Sequence, residues 1–211
     1  QKMSDHHAIA RKLHAVETLG QVSVICTDKT GTLTQNRMTV VAYYLNGKIQ
    51  SSSQKVTERR LKEGFYLCCD AKLDASGAIG DPTEVALMRW ALDNGVDPAQ
   101  IVRQFPRVGE IPFDSRRKRM STVHQTGLEK IVYVKGALES VLPLCTHLWQ
   151  DGRRMEMTAA WRRQIEEAAA QMAGEALRVL VLATRSVASL DENQFETRLC
   201  FVGMAGMIDP P

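Results

Sequence analysis

The sequence predicts an α+β fold in which an antiparallel sheet is flanked by helices. The turn signals Asn46-Gly47 and Gln125-Thr126-Gly127 each lie between runs of β-forming residues and indicate hairpins. Amphipathic segments with caps at Asp81 and Thr158 indicate the helices. Because hairpins and strands dominate over alternating strand–helix–strand units, we expect an antiparallel sheet.

Length and composition are those of an ordinary globular chain. It has 211 residues, of which 44% are hydrophobic and 24% charged, and a net charge of +3. That balance does not imply binding to nucleic acid or to a membrane surface. No run approaches the roughly 18 apolar residues of a membrane span. The five cysteines lack Cys-x-x-Cys spacing, which favours buried free thiols over disulfides or zinc.

The first predicted strand is the run Val22–Cys26, which is rich in β-branched residues and is expected to be buried and parallel. It is followed by Asp28-Lys29-Thr30-Gly31-Thr32-Leu33-Thr34, so a carboxylate lies where a strand ends, a usual place for a ligand site in an α/β sheet. A carboxylate is a competent nucleophile towards phosphorus and gives an aspartyl-phosphate. The alternative is a plain turn with an Asx-type hydrogen bond.

The next segments predict a hairpin and a helix. Thr39–Leu45 is a strand that turns at Asn46-Gly47 into Lys48-Ile49. Residues 57–69 place their apolar residues on one side of a helix. The polar, glycine-containing stretch Ala71–Ala78 is expected to be a loop.

Helix start signals lie at Gly80-Asp81-Pro82-Thr83-Glu84. Asp81 is a good cap, proline suits the first helical position, and Glu84 falls three residues after the cap. Glu84 is thus a candidate capping-box residue. Asn94-Gly95 ends the helix.

A basic run, Arg116–Arg119, follows Phe113. Such runs are often solvated turns. An aromatic ring beside cations can instead stack on a base while the cations meet phosphates. Further on, Lys135 ends a predicted strand and is followed by Gly136 and a new helix, so its side chain projects into whatever cleft the strand ends face.

The C-terminal part predicts one helix and two strands. Cys145–Gly152 is expected to connect to a helix from Thr158 to Leu177. Arg178–Ala183 and Leu199–Met207 are buried strands. By its position, Arg178 fits an ordinary charge at a helix C-terminus.

Together, these motifs resemble the cation-transporting P-type ATPases, in particular the calcium- and sodium-pump branch. The resemblance rests on segments that occur in the family's order: Asp28–Thr34, Gly80–Glu84, Pro112–Ser121, Lys135–Glu139, Arg178–Arg185 and Asp209-Pro210-Pro211. It implies ATP and Mg²⁺ as cofactors. It also implies a nucleotide-binding domain and a short piece of a haloacid-dehalogenase-like α/β phosphorylation domain.

The resemblance assigns roles to individual residues. Asp28 would be the phosphorylated nucleophile, supported by Lys29, Thr30 and Thr32, and Asp28 with the Thr30 carbonyl would form part of a Mg²⁺ site. The nucleotide-binding residues would be Glu84 at the adenine, Phe113 stacked on it, and Lys118, Lys135, Gly136 and Arg178.

The implied organisation is a connector and phosphorylation loop over residues 1–38, a nucleotide-binding domain over 39–207 and a hinge over 208–211. We expect the chain to be a cytoplasmic fragment of an integral membrane pump whose transported cation binds in membrane helices outside this sequence. We expect no direct membrane contact by the fragment itself. Because the remaining Mg²⁺ ligands also lie outside it, the loop at Asp28 is expected to be mobile or misplaced, and the fragment to bind ATP without turnover.

A phosphatase or phosphotransferase of the haloacid-dehalogenase type is the alternative function. Many such phosphatases carry an acid–base Asp two residues after the nucleophile. Here that position is Thr30, which cannot accept a proton from water near neutral pH. An aspartyl-phosphate would therefore survive longer, which suits a pump.

Overall fold

The computed structural model describes residues 18, 20–24, 26–27, 37–74 and 77–209. The chain divides into two compact units, Gln1–Gln35 with Pro211, and Asn36–Pro210. The predicted phosphate-accepting and magnesium-binding residues Asp28, Lys29, Thr30 and Thr32, and the expected state of their loop, lie outside the described residues. The predicted domain boundaries stay predictions.

The predicted strand at Val22–Cys26 is wrong where it is described. Residues 22–24 and 26 are exposed and not in a strand, and Val24 is 72% exposed. β-Branched residues favour a strand only where neighbouring strands complete its hydrogen bonds. Within the described residues no strand pairs with this segment.

The second unit is built on β-structure. Across the described ranges, nine strands form one sheet and two form a separate hairpin. The strands are β1 (Thr39–Leu45), β2 (Lys48–Ser51), β3 (Lys72–Asp74), β4 (Gly77–Ile79), β5 (Arg107–Asp114), β6 (Arg119–Thr126), β7 (Glu129–Gly136), β8 (Cys145–Gln150), β9 (Arg153–Glu156), β10 (Arg178–Val187) and β11 (Leu199–Ile208).

The sheet confirms the predicted antiparallel α+β class. Its main order is β2-β1-β11-β10-β7-β6-β5, with β8 and β9 added beside β11. Neighbours in the main order run antiparallel, and β8 runs parallel to β11. The predicted hairpin at Asn46-Gly47 is confirmed, and both residues have the positive φ that this tight turn needs.

Helices cover both faces of the sheet. They are α1 (Arg59–Leu67), α2 (Pro82–Asp93), α3 (Pro98–Gln104), α4 (Leu138–Val141), α5 (Ala159–Gly174) and α6 (Glu192–Phe195). The predicted caps are confirmed: Asp81 accepts from the Thr83 amide at 2.9 Å, and Thr158 accepts from the Trp161 amide at 3.3 Å.

The two faces have separate hydrophobic cores because strand residues alternate sides. On one face Tyr133 and Leu182 pack in the same cluster as α1 and α2, including Phe65. On the other face Val134 and Val181 belong to the cluster that contains α5. A side chain's position along β7 therefore decides whether it meets α1 and α2 or α5.

Several elements differ from the sequence prediction. The expected loop Ala71–Ala78 contains the β3–β4 hairpin, the expected connector Cys145–Gly152 contains β8, and four elements lie in stretches with no prediction: α3, β5, β9 and α6. The long helix ends at Gly174, three residues before Leu177. A strand of three to six residues is too short to show a clear alternation of apolar and polar residues. Strand β8 forms because it pairs with the distant strand β11.

Most thiols are placed as predicted. Cys68, Cys69, Cys145 and Cys200 are buried and free, whereas Cys26 is exposed. Among the described helices, none combines the length and apolarity that crossing a bilayer requires.

Helix α1 packs tightly against the sheet at Gly64. A Cβ atom there would lie 2.5 Å from Leu182 Cδ2 and 2.8 Å from the Tyr133 ring. Alanine favours a helix over glycine by roughly 1 kcal/mol, but overpacking costs roughly 1–3 kcal/mol. We therefore expect Gly64→Ala to lower the free energy of unfolding, measured by urea denaturation.

The matched control is Gly174→Ala, because a Cβ at this other helical glycine has nothing within 4 Å. This substitution should raise stability by up to about 1 kcal/mol. Equal effects of the two substitutions would show that α1 does not pack as closely as described.

Candidate functional site

Glu84 lies in the first turn of α2, where the Asp81 cap and Pro82 start the helix. Its Oε1 accepts from Lys135 Nζ at 2.7 Å, and its Oε2 accepts from the backbone amides of Asp70 and Ala71 at 2.8 and 3.1 Å. The carboxylate therefore joins segments that are distant in the sequence, and it does not close a capping box.

Lys135 reaches Glu84 from the sheet. It lies near the end of β7, between Met120 on β6 and Leu182 on β10, and its side chain points to the face covered by α1 and α2. The residue is only 5% exposed, and its Nζ also donates to Cys69 Sγ at 3.5 Å. The sequence placed Lys135 at a strand end facing a cleft, and the structure adds the buried anion that it faces.

Charge explains why a buried lysine is tolerated. Burial lowers the pKa of Lys135, but the acidic groups Cys69, Cys68 and Glu84 beside it raise it, and the net direction is upward. Burial raises the pKa of Cys69 to about 12, so this thiol is neutral at physiological pH. The Glu84 carboxylate is therefore the anion that keeps Lys135 charged.

A second cation meets the same helix turn. Arg178, at the start of β10, donates from Nη1 to Thr83 Oγ1 at 2.9 Å. Thr83 is buried and directly precedes Glu84. Three predicted nucleotide-binding residues from distant parts of the sequence, Glu84, Lys135 and Arg178, thus meet at the first turn of α2. We call them, with Thr83, the α2 cluster.

Phe113 and Lys118 lie outside this cluster, around the β5–β6 hairpin. Phe113 is on the edge strand β5 and is 62% exposed, so its ring face is accessible. Lys118 pairs with Glu139 at 2.9 Å, and both side chains are largely exposed. β5 is two strands from β7, which corresponds to roughly 10 Å between backbones.

Gly136 has a packing role. A Cβ on this residue would lie 2.5 Å from the Lys118 carbonyl oxygen and 2.6 Å from Arg119 Cβ. The Ala137 amide then donates to that Lys118 carbonyl at 3.0 Å. Glycine here lets the end of β7 approach the turn that carries Lys118, which has a positive φ of 51°.

The basic run is anchored by Glu196, a residue that the sequence analysis missed. Its carboxylate accepts from Arg117 at 2.7 Å, from Arg119 at 2.6 Å and from Ser121 at 2.6 Å. Burial raises the pKa of Glu196, but these hydrogen bonds outweigh it and the net direction is downward. The reading of the run as a freely solvated turn is therefore wrong for Arg117 and Arg119. A lone glutamate before the last strand carries no sequence signal.

An open cavity of about 640 Å³ lies beside the partners of Glu84. Cys69 and Ala71 line one part of it, and Arg107 and His124 line another. None of the predicted nucleotide-binding residues is among its lining residues. The predicted site thus combines the exposed β5–β6 hairpin with the largely buried α2 cluster, and it is not this cavity.

The described groups suit binding rather than covalent chemistry or metal coordination. The cluster offers fixed charges and hydrogen-bond donors. Within the described ranges, no three His, Cys, Asp or Glu side chains are arranged to hold a metal ion. The predicted ligands Asp28 and Thr30 lie outside those ranges.

The fold and the α2 cluster define an α+β domain in which a helix N-terminus and two strand ends converge on one polar site. The family described as P-type ATPase, cytoplasmic domain N, matches residues 57–211. This chain belongs to the P-type ATPase family.

The similar proteins are named as cation-transporting ATPases, in agreement with this family. A calcium-transporting ATPase of Bacillus cereus is 42% identical over the whole of this chain and 24% of its own length. One from Listeria monocytogenes is 43% identical, with 25% of its length covered. The calcium-transporting ATPase type 2C member 1 of Bos taurus is 33% identical, with 24% covered. The chain spans about a quarter of the length of these relatives.

Breaking the Glu84–Lys135 pair should be costly. Lys135→Met leaves a buried carboxylate without its cation, a change that typically costs about 3 kcal/mol. We expect that loss of unfolding free energy in urea denaturation. Adding Glu84→Gln to the same chain should restore part of it, because the unpaired charge is removed.

The control for this prediction is Lys118→Met, which breaks an exposed ion pair. Exposed pairs contribute only about 0–1 kcal/mol. Equal losses from Lys118→Met and Lys135→Met would contradict the buried pair.

Proposed function

We propose that this chain is the ATP-binding and phosphate-accepting part of an ATP-driven cation pump. The observation that carries the proposal is the meeting of Glu84, Lys135 and Arg178 at one helix turn. Family membership supports the pump, and the relatives' names support a transported cation. The pump would be an integral membrane protein that holds this part in the cytoplasm and its transported cation in the membrane.

The residues fit ATP as a ligand. The exposed face of Phe113 would stack on adenine. A carboxylate offers about four acceptor positions, and Glu84 uses three, which leaves one for the adenine amino group. Lys118 and Arg178 would lie nearer the phosphates. Lys135, whose Nζ lies 2.7 Å from Glu84 Oε1, would be at the adenine end, and it keeps an ammonium proton to donate beyond its two contacts.

The chemistry would take place at Asp28. Its carboxylate would attack the γ-phosphate in line, releasing ADP and forming an aspartyl-phosphate, with Lys29, Thr30 and Thr32 around it. Bound Mg²⁺ would neutralise phosphate charge, held in part by Asp28 and the Thr30 carbonyl. Two such ligands hold Mg²⁺ weakly, so this chain alone would bind ATP without turnover.

Thr30 argues for the pump over a haloacid-dehalogenase-like phosphatase. A threonine in that position cannot act as the base that activates water for hydrolysis of the phosphorylated aspartate. The aspartyl-phosphate would therefore persist long enough for its formation and loss to drive a conformational change in a membrane domain.

ATP binding is tested by titrating the chain with ATP in a calorimeter. Stacking of a base on an aromatic ring contributes roughly 1–3 kcal/mol, so Phe113→Ala should weaken binding by roughly 5- to 150-fold. Leu128→Ala is the matched control, because Leu128 is 100% exposed in the β6–β7 turn. Absence of binding by the unmodified chain at millimolar ATP would refute the proposal.

Phosphate acceptance is tested with radiolabelled ATP in the complete pump. Asp28→Asn should abolish acid-stable incorporation of label, while the control Asp191→Asn should retain it. Label that survives Asp28→Asn would exclude Asp28 as the acceptor. Release of nitrophenol from p-nitrophenyl phosphate by this chain, lost in Asp28→Asn, would instead favour the phosphatase.

A further inference from the structure

Arg107 contacts the segment that holds Glu84. It is the first residue of the edge strand β5. Its Nη1 donates to Asp70 Oδ1 at 2.8 Å and to the Cys69 carbonyl at 3.5 Å, and its Nη2 pairs with Glu110 at 2.9 Å. One guanidinium group thus ties β5 to the chain at Cys69 and Asp70.

The Cys69–Ala71 segment touches both halves of the buried ion pair. The amides of Asp70 and Ala71 donate to Glu84 Oε2, at 2.8 and 3.1 Å. Cys69 Sγ accepts from Lys135 Nζ at 3.5 Å. Any shift of this segment would therefore move the Glu84 carboxylate or remove two of its donors.

Other contacts also hold this segment: Cys69 and Ala71 are buried, and Cys69 Sγ donates to the Phe65 carbonyl at 2.9 Å. The segment follows α1, which ends at Leu67, and leads directly into the short β3–β4 hairpin. Gly80 packs tightly against it, since a Cβ there would lie 2.9 Å from Ala71 Cα. The Asp70 side chain is largely exposed, so Arg107 supplies the ionic contact that orients it.

We propose that Arg107 is a positioning residue for nucleotide selection, acting through Asp70 on Glu84. This inference rests on the proposed function, in which Glu84 accepts from the adenine amino group. Guanine carries a carbonyl oxygen at the corresponding place, which would face the carboxylate without a proton between them. A fixed Glu84 therefore favours ATP over GTP, and a loosened Glu84 discriminates less.

The test measures ATP and GTP binding to the 211-residue chain by calorimetry. We expect Arg107→Ala to weaken ATP binding about fivefold, the order seen for coupled neighbouring residues, and to lower the ATP-to-GTP affinity ratio by a similar factor. Asp70→Ala should act in the same way. The double variant should add little to either single one, because both remove the same contact.

The matched control is Arg103→Ala. Arg103 is an exposed arginine on α3 whose side chain donates to the Ala99 carbonyl of its own helix. Its removal should leave both affinities unchanged. A merely structural role for Arg107 would lower the melting temperature without changing the ATP-to-GTP ratio, and that result overturns the proposal.

The outcomes separate this inference from the proposed function. If the unmodified chain binds no ATP, both fail. If it binds ATP, and Arg107→Ala and Asp70→Ala keep the unmodified ratio, the positioning role alone fails. If Arg107→Ala does not fold, Asp70→Ala decides, because Asp70 is an exposed partner with no place in either hydrophobic core.

Discussion

The buried ion pair between Glu84 and Lys135 is the interaction on which the polar part of this molecule depends. Taking either charge from water without the other would be strongly unfavourable, so β7, α2 and the Cys69–Ala71 segment must reach their places together. The pair fixes the positions of its two residues more than it adds net stability. A variant in which both partners are hydrophobic is often no less stable than the protein with the ion pair. In the proposed function, the fixed Glu84 carboxylate is the group that accepts from the adenine amino group.

The candidate site combines this buried half with an exposed half. The exposed half is the β5–β6 hairpin, where Phe113 and Lys118 face solvent. Glu196 fixes the turn end of that hairpin by binding Arg117 and Arg119, and Gly136 lets β7 approach the same turn. The buried charges of the α2 cluster and the accessible ring of Phe113 are suited to a ligand that has a flat base and a charged tail.

Family membership sets the wider context of this arrangement. The chain matches the cytoplasmic domain N of P-type ATPases and spans about a quarter of the length of its relatives. In the proposed pump, nucleotide binding and phosphate transfer involve different parts of the chain, the α2 cluster and Asp28. In such a pump, phosphate transfer would depend on domain closure, which would couple binding energy to movement.

The sequence alone determined the family, the antiparallel α+β class, the caps at Asp81 and Thr158, and β1 to the residue, because these depend on local chemistry and on residue order. The tertiary structure decided three features that no local sequence pattern predicts. Strand β8 forms by pairing with β11. The Glu84 carboxylate accepts a hydrogen bond from Lys135 instead of capping its own helix, and the Glu196 carboxylate binds the basic run. Each depends on residues about 50 or more positions apart, and only the folded sheet brings their side chains within hydrogen-bonding distance.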